Sequence, residues 1–317
     1  MNKLKYEFIL NWNLTLNCNL SCNYCNAKIH PNTLLGRFQS TRIGIFLTNM
    51  IWKHLIKNIK HMKPPETIDI QKILSLLTQV KKPIKIKLLG GEPFLFPNFI
   101  EICKELSKVH YLGLESNFTS NRIKSFCDTI NPDRVDLIRA SFHIEELEKK
   151  NLIGRFIENA LYCKIKGFNI ETLIVGYPSI LEKINQYKEI LGSKDITFYV
   201  QPFVGYYNGK EYPAAYSQEE KEKFNMPLYN STYVKNTKNQ LCTAGYRFFA
   251  VFPSGDIYPC YQINEKLGNI YEDFKPYETM IKCPFEKCFC EPRTMNPELF
   301  NKIIKEYLSS KNTKDNL

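Results

Sequence analysis

An α/β fold built on one parallel sheet is predicted by three observations. Between Phe8 and Phe203 the apolar period alternates between that of a strand and that of a helix, giving six strands separated by helices. Polar residues fall at the C-terminal ends of several of those strands, where a parallel sheet closed on itself carries its working groups. The 317 residues are enough for one large α/β domain and a small appendage.

The first strand is predicted over Phe8–Leu16. Residues 42–62 carry Leu47, Ile51, Leu55, Ile59 and Met62 at helical spacing, interrupted by Lys53, His54 and Lys57. That pattern is a surface-docked helix, and the whole stretch 31–63 reads as an insertion that caps the site. Pro64-Pro65 stops it, and Thr67-Ile-Asp69 opens a second helix with Ile70, Ile73, Leu74, Leu77 and Val80 inward. Next come a strand over Ile84–Leu89, a helix over Pro97–Val109, a strand over Tyr111–Asn117 and a helix over Ser120–Ile130. Val135–Phe142 is a strand, Glu145–Gly167 one long helix, Phe168–Val175 a strand, Ser179–Leu191 a helix and Ile196–Pro202 a strand. Such alternation implies right-handed crossovers between parallel neighbours.

Two motifs carry chemistry. Cys18, Cys22 and Cys25 stand at C-x3-C-x2-C spacing directly after the first strand, so a tight loop can turn three thiolates toward one point. A structural zinc site closes with a fourth ligand, for which His30 is the nearest candidate. An iron–sulfur cube held by three thiolates instead leaves one iron open to a further ligand. The second motif is Gly90-Gly91-Glu92-Pro93, a glycine turn bearing a carboxylate at the end of the next strand.

Together, the three cysteines with Tyr24 before the last of them, and the Gly-Gly-Glu-Pro turn, resemble the radical S-adenosylmethionine (SAM) superfamily. The resemblance implies a partial (βα)6 TIM-like barrel over residues 1–204. It also implies a [4Fe–4S] cluster on Cys18, Cys22 and Cys25 whose fourth iron takes the amino and carboxylate groups of SAM. Reductive cleavage then yields a 5′-deoxyadenosyl radical that abstracts hydrogen from an unactivated C–H bond, with the electron supplied by a donor such as flavodoxin or ferredoxin. Gly90, Gly91, Glu92 and Pro93 match the motif that receives the SAM amino group. Tyr24 is placed to lie against adenine. Asn117 and Ser141 match strand-end positions that contact ribose or carboxylate, against the plainer reading of strand-end capping.

Residues 205–240 read as a linker with one short helix near Ser217–Phe224. A second group of cysteines follows: Cys242, Cys260, Cys283, Cys288 and Cys290. Pro253-Ser-Gly-Asp256 between the first two, flanked by alternating apolar residues, is a β-hairpin signal. Cys242, Gly255 and Cys260 resemble the auxiliary-cluster signature of the SPASM/Twitch branch. That resemblance implies a small C-terminal β-hairpin and helix domain over 241–292 with a second [4Fe–4S] cluster. Two further clusters would use more cysteines than the five that remain. Cys283-x4-Cys288-x-Cys290 departs from the branch's usual spacing and leaves open which of the three complete the site; zinc is the alternative occupant. Residues 293–317 are expected to form a helix with Leu299, Phe300, Ile303, Ile304 and Tyr307 on one side, followed by a disordered polar tail from Ser309.

Other residues receive plainer readings. Cys103, Cys127 and Cys163 fall within helices as small core residues. His143 shares a face with Ser141 and is expected to hydrogen-bond structurally, and Glu145-Glu146 to form a solvated helix start. The 11 cysteines, an odd count gathered mostly in two clusters, argue against a disulfide scaffold and for a reducing compartment, the cytosol. No apolar run is long enough for a membrane span, and the first residues lack the features of a signal peptide. The net charge of +11 is dispersed, which reads as a solvated basic surface suited to an anionic substrate and not as a nucleic-acid motif.

The expected function is oxidation, epimerisation or a related change at an sp3 carbon of a small-molecule, sugar or peptide substrate. Peptide maturases of this branch often carry an N-terminal leader-binding domain, and a cysteine loop beginning at residue 18 leaves no room for one. That favours a small or carbohydrate-like substrate, or a peptide delivered by a separate protein. A tRNA-modifying enzyme, and a non-catalytic iron–sulfur or zinc protein, are the alternatives; the Gly-Gly-Glu-Pro turn and the six βα units have no purpose in the non-catalytic ones.

Overall fold

The computed structural model describes residues 5–25, 64–78, 80, 82–226, 235–288, 292 and 296–314. The helix expected over 42–62 and the inserted stretch 31–63 lie outside the described residues, as does His30.

Six parallel strands form the frame: β1 (Phe8–Thr15), β2 (Ile84–Gly90), β3 (Tyr111–Ser116), β4 (Val135–Ser141), β5 (Ile170–Gly176) and β6 (Phe198–Pro202), paired in that order. Helices α1 (Ile70–Thr78), α2 (Phe99–Ser107), α3 (Arg122–Thr129), α4 (Ile144–Lys149), α5 (Ile153–Ile165) and α6 (Ile184–Gly192) fill the crossovers. The α/β class and parallel order agree with the sequence. The sheet does not close on itself, since β6 is one of its edges.

Residue parity along β1 divides the interior. Leu10, Trp12 and Leu14 join the main core together with Ile73 and Leu77 of α1 and residues of the other crossover helices. Ile9 points the other way, into a smaller cluster with Tyr6, Phe248, Met280, Leu299 and Ile303. On α1, Leu76 is buried where Leu74 was expected, so the buried stripe is rotated slightly from the one the spacing implied. Cys103, Cys127 and Cys163 are buried, and the Cys127 and Cys163 thiols lie 3.0 Å apart between α3 and α5.

Two of the predicted helices are broken. The stretch 145–167 divides into α4 and α5 at Asn151, whose φ of 53° is left-handed. Leu152 N–H closes α4 by donating to Leu147 O at 2.8 Å, an end that asparagine tolerates better than most side chains. The stretch 179–191 begins as a 3-10 turn over Pro178–Lys183 before α6.

Residues 205–226 carry more structure than the single helix expected. β7 (Gly205–Tyr207) and β8 (Lys210–Tyr212) form a hairpin about Asn208-Gly209, with φ of 48° and 74°. That dipeptide is a hairpin signal, so residues 205–212 are not the plain linker expected. Helix α7 (Gln218–Lys223) starts in a capping box of Ser217 and Glu220. Tyr216 ties this stretch to the barrel: its hydroxyl donates to Gly176 O at 2.5 Å and accepts from Phe203 N–H at 2.8 Å.

Towards the C-terminus lie short strands β9 (Lys235–Asn236), β10 (Leu241–Cys242), β11 (Phe248–Val251), β12 (Asp256–Tyr258), β13 (Gly268–Asn269), β14 (Ile281–Lys282) and β15 (Lys287–Cys288). The predicted hairpin is β11–β12. Its first strand pairs in parallel with β1, from Ile9↔Phe248 to Trp12↔Val251, so the sheet runs on through β11, β12 and β13. This covers the edge β1 would otherwise expose. Helix α8 (Pro297–Lys314) buries Leu299, Phe300 and Ile303. It continues to Lys314, where the sequence reading had ended order at Ser309. Among the described residues, no helix is long and apolar enough to cross a membrane.

An ion ladder crosses four strands of the frame. Lys87 of β2 bonds Glu115 of β3 at 2.5 Å, and Arg139 of β4 reaches both Glu115 at 3.0 Å and Glu171 of β5 at 3.2 Å. Burial alone would raise the Glu115 carboxyl, but the two cations outweigh it and hold it down at about 2. Its side chain keeps 29% exposure, so the cost of breaking the ladder is discounted below that of a sealed ion pair. Glu115→Ala is expected to lose about 2 kcal/mol of unfolding free energy in urea at neutral pH. A depressed carboxyl contributes above its unfolded value of 4.5, so the deficit narrows as pH falls through 4.5 towards 2.

Candidate active site

β1 ends at Thr15, and the chain enters an irregular loop carrying Cys18, Cys22 and Cys25. The Gly90–Pro93 turn at the end of β2 lies directly on this loop. Gly91 N–H donates to Thr15 O at 2.7 Å and Glu92 N–H donates to Asn17 O at 2.8 Å. The approach is possible only without side chains. A Cβ at Gly91 would stand 2.2 Å from Asn17 O, and one at Gly90, where φ is +145°, 2.2 Å from Thr15 O. Two motifs read separately in the sequence are thus one backbone construction.

Glu92 looks inward. It is fully buried, accepting from Ser116 Oγ at 2.8 Å, Asn117 N–H at 2.8 Å and Phe94 N–H at 3.2 Å. Burial pushes its carboxyl up to about 7, although these donors pull the other way. Its carboxylate therefore fastens the end of β2 to the end of β3, and the backbone of Gly90 and Gly91 faces the loop. Pro93 is buried and opens a 3-10 turn, Pro93–Leu95, that Glu92 caps.

Asn117 joins the same construction to the first cysteine. Its Nδ2 donates to Asn19 Oδ1 at 2.9 Å and approaches Cys18 Sγ at 3.7 Å, while Oδ1 accepts from Thr119 N–H at 3.1 Å. Leu20 N–H also points at Cys18 Sγ, at 3.4 Å. Burial pushes the Cys18 thiol up to about 11 against these donors. Asn117 is thus both the strand-end cap of the plainer reading and a neighbour of the cysteine. Ser141 is half-buried at the end of β4.

The opposite side of the loop meets the start of α4. Tyr24 Oη lies 3.0 Å from His143 Nδ1, and the Tyr24 ring packs on Tyr177 at 5.0 Å between centroids. Burial lowers His143 to about 4, so the imidazole is neutral. Ser21 N–H donates to Glu146 Oε2 at 2.8 Å. Glu146 is only 8% exposed, which corrects the expectation of a solvated helix start. The surrounding fold buries it by laying the cysteine loop across the first turn of α4. Its position three residues after His143 was the available signal, because i and i+3 share a helix face.

The second cysteine group also gathers in part. Cys242 and Cys283 are buried with Ala244, and Cys260 packs against them. β10 and β14 bring them together through the pairing Cys242↔Ile281, and Cys283 Sγ bonds Thr237 Oγ1 at 3.3 Å. The Cys288 side chain and Cys290 lie outside the described residues. Among the described residues, no three cysteine, histidine, aspartate or glutamate side chains are arranged to hold a single metal ion.

Comparison with solved structures finds the same fold at low sequence identity. Native anSMEcpe with bound AdoMet is 17% identical, with a TM-score of 0.56, over 84% of this chain and 79% of that one. The same protein with AdoMet and the Cp18Cys peptide is 17% identical, with a TM-score of 0.53, over 84% and 78%. Streptococcus suis SuiB bound to precursor peptide SuiA is 16% identical, with a TM-score of 0.51, over 86% of this chain but 64% of SuiB. The model of the radical SAM superfamily matches residues 12–186, more than half of the chain and the whole of the cysteine loop, the glycine turn and the strand ends around them. The chain belongs to the radical SAM superfamily.

Proposed function

We propose that this chain abstracts hydrogen from an sp3 carbon of its substrate, using a [4Fe–4S] cluster on Cys18, Cys22 and Cys25. The observation that carries the reading is the bonding of the Gly91-Glu92 backbone onto Thr15 and Asn17 at the start of the cysteine loop. The donor set fits the group. Three thiols share one loop, and the two N–H donors aimed at Cys18 Sγ offset part of the burial that opposes its thiolate. A cube takes each thiolate on a different iron, so three cysteines on one loop supply three of its four ligands. When bound, the cluster and SAM supply the 5′-deoxyadenosyl radical, and the chain's own groups orient them.

In this reading the Gly90–Pro93 turn receives the SAM amino group through its backbone, with Glu92 holding the turn from behind. Tyr24 lies against the adenine, and Ser141 and Asn117 serve the ribose or carboxylate. Neutral His143 fixes the Tyr24 hydroxyl.

We assign the C-terminal cysteines to one auxiliary [4Fe–4S] cluster of the SPASM/Twitch type, supported by the clustering of Cys242, Cys260 and Cys283. Cys288 or Cys290 completes it. The corresponding division is a core over 1–204, a connecting stretch over 205–240, the auxiliary unit over 241–292 and a terminal helix from 293. The reaction is an oxidation or epimerisation fed by a flavodoxin or ferredoxin in the cytosol. A peptide replaces the small or carbohydrate-like molecule favoured by the sequence as the leading substrate class, because two of the solved neighbours are complexes with peptides; a sugar or other small molecule is the alternative.

The test is anaerobic reconstitution followed by SAM and a reductant. Wild type is expected to form 5′-deoxyadenosine. Cys18→Ala is expected to form at least 1000-fold less, since the cofactor carries the hard chemistry. Wild-type protein with its full iron content but no 5′-deoxyadenosine sinks the reading.

A further inference from the structure

We propose that Glu146 is a positioning residue for the cysteine loop, one that sets the reduction potential of the cluster held there; the tuning rests on the function proposed above. The loop is irregular, and its two halves are fixed by different elements. The Cys18 half is held by the Gly90–Glu92 backbone and Asn117. The half around Cys22 is held from the first turn of α4, where Glu146 accepts from Ser21 N–H at 2.8 Å and His143 meets Tyr24 at 3.0 Å. These contacts bracket Cys22 on both sides.

A carboxylate is a costly way to satisfy one amide. Burying an ionised oxygen costs more than a single hydrogen bond to it returns. A backbone carbonyl or a glutamine would serve Ser21 without that cost. Among the described residues the ion-pair partner of Glu146 is Lys149, whose Nζ is 3.7 Å from the other oxygen and whose side chain is 72% exposed, so solvent screens it. Among the described residues, this carboxylate therefore faces the loop with only a solvent-screened cation beside it. It opposes addition of an electron to any centre there and lowers the potential at which the centre is reduced.

Two full-length variants separate the clamp from the charge. Glu146→Gln keeps an oxygen for Ser21 and removes the charge; Glu146→Ala removes both. After anaerobic reconstitution, the midpoint potential of the cluster whose EPR signal responds to SAM is expected to become more positive in both. The shift is about tenfold in the reduction equilibrium, ~59 mV for one electron. Hydrogen exchange of the 18–25 amides is expected to stay at the wild-type rate in Glu146→Gln and to rise at least tenfold in Glu146→Ala. Glu146→Gln with a wild-type potential overturns the tuning, and Glu146→Ala with wild-type exchange overturns the clamp. A wild-type chain without any SAM-responsive signal overturns the functional reading and the tuning together, while exchange still decides the clamp.

Discussion

Gly91→Ala is expected to cost the protein the cluster proposed on its cysteine loop and at least 100-fold in 5′-deoxyadenosine formation. The new Cβ would meet Asn17 O at 2.2 Å, Asn17 C at 2.6 Å and Leu16 O at 2.7 Å, all backbone atoms that no rotamer change can move aside. Relief requires the cysteine loop to retreat by about an ångström, a displacement that can cost a hundredfold at a reacting centre. The retreat breaks the bonds from Gly91 N–H to Thr15 O and from Glu92 N–H to Asn17 O. Two backbone bonds at about 1 kcal/mol each, with overpacking strain of similar size, give a loss of about 3 kcal/mol. Gly154→Ala is the control, because nothing lies within 4 Å of its Cβ position. It is expected to be neutral or to stabilise α5 by up to about 1 kcal/mol. Iron content, nucleoside yield and urea unfolding of the two variants check this. A Gly91→Ala protein that retains iron and turnover removes the backbone contact from the account.

Glu92→Ala is expected to be the second severe change, and its size should depend on pH. The substitution strands the N–H groups of Asn117 and Phe94 in a buried site and frees Ser116 Oγ. At about 1–3 kcal/mol for each stranded donor, the deficit at pH 5 is about 4 kcal/mol. Burial raises the Glu92 carboxyl from its ordinary value of 4.5 to about 7. The folded state then binds this proton more tightly than the unfolded one. The resulting stabilisation is complete below 4.5 and is lost as pH rises through 7. The pKa difference is worth about 3 kcal/mol, so the gap between wild type and Glu92→Ala should shrink by roughly that amount from pH 5 to pH 8. Urea denaturation at both values measures it. A gap independent of pH means that the carboxyl does not titrate between folded and unfolded states in that window.

The elements of the frame were legible because each rests on a short-range pattern. The six strands appear within a residue or two of their expected limits, since apolar period and turn residues are local properties. The errors have local and non-local causes. The break at Asn151 depends on left-handed φ, for which a lone asparagine is a weak signal, whereas the Asn208-Gly209 hairpin carries a dipeptide that local sequence does signal. The pairing of β11 with β1 joins residues more than 230 positions apart. No window along the chain contains both partners.

The candidate site divides in the same way. Cys18, Cys22, Cys25 and Gly90–Pro93 stand out in the sequence because the chemistry of thiolates and the steric freedom of glycine belong to the residue type itself. Their superfamily could be recognised from those residues. Which group presses on which was decided only by the fold. It turned Glu92 away from the loop it follows, moved Asn117 against Cys18, and buried Glu146 against Ser21 across 125 positions of chain. Identity of a side chain fixes what it can bond, whereas burial and partner are set by segments that meet only after the sheet has formed.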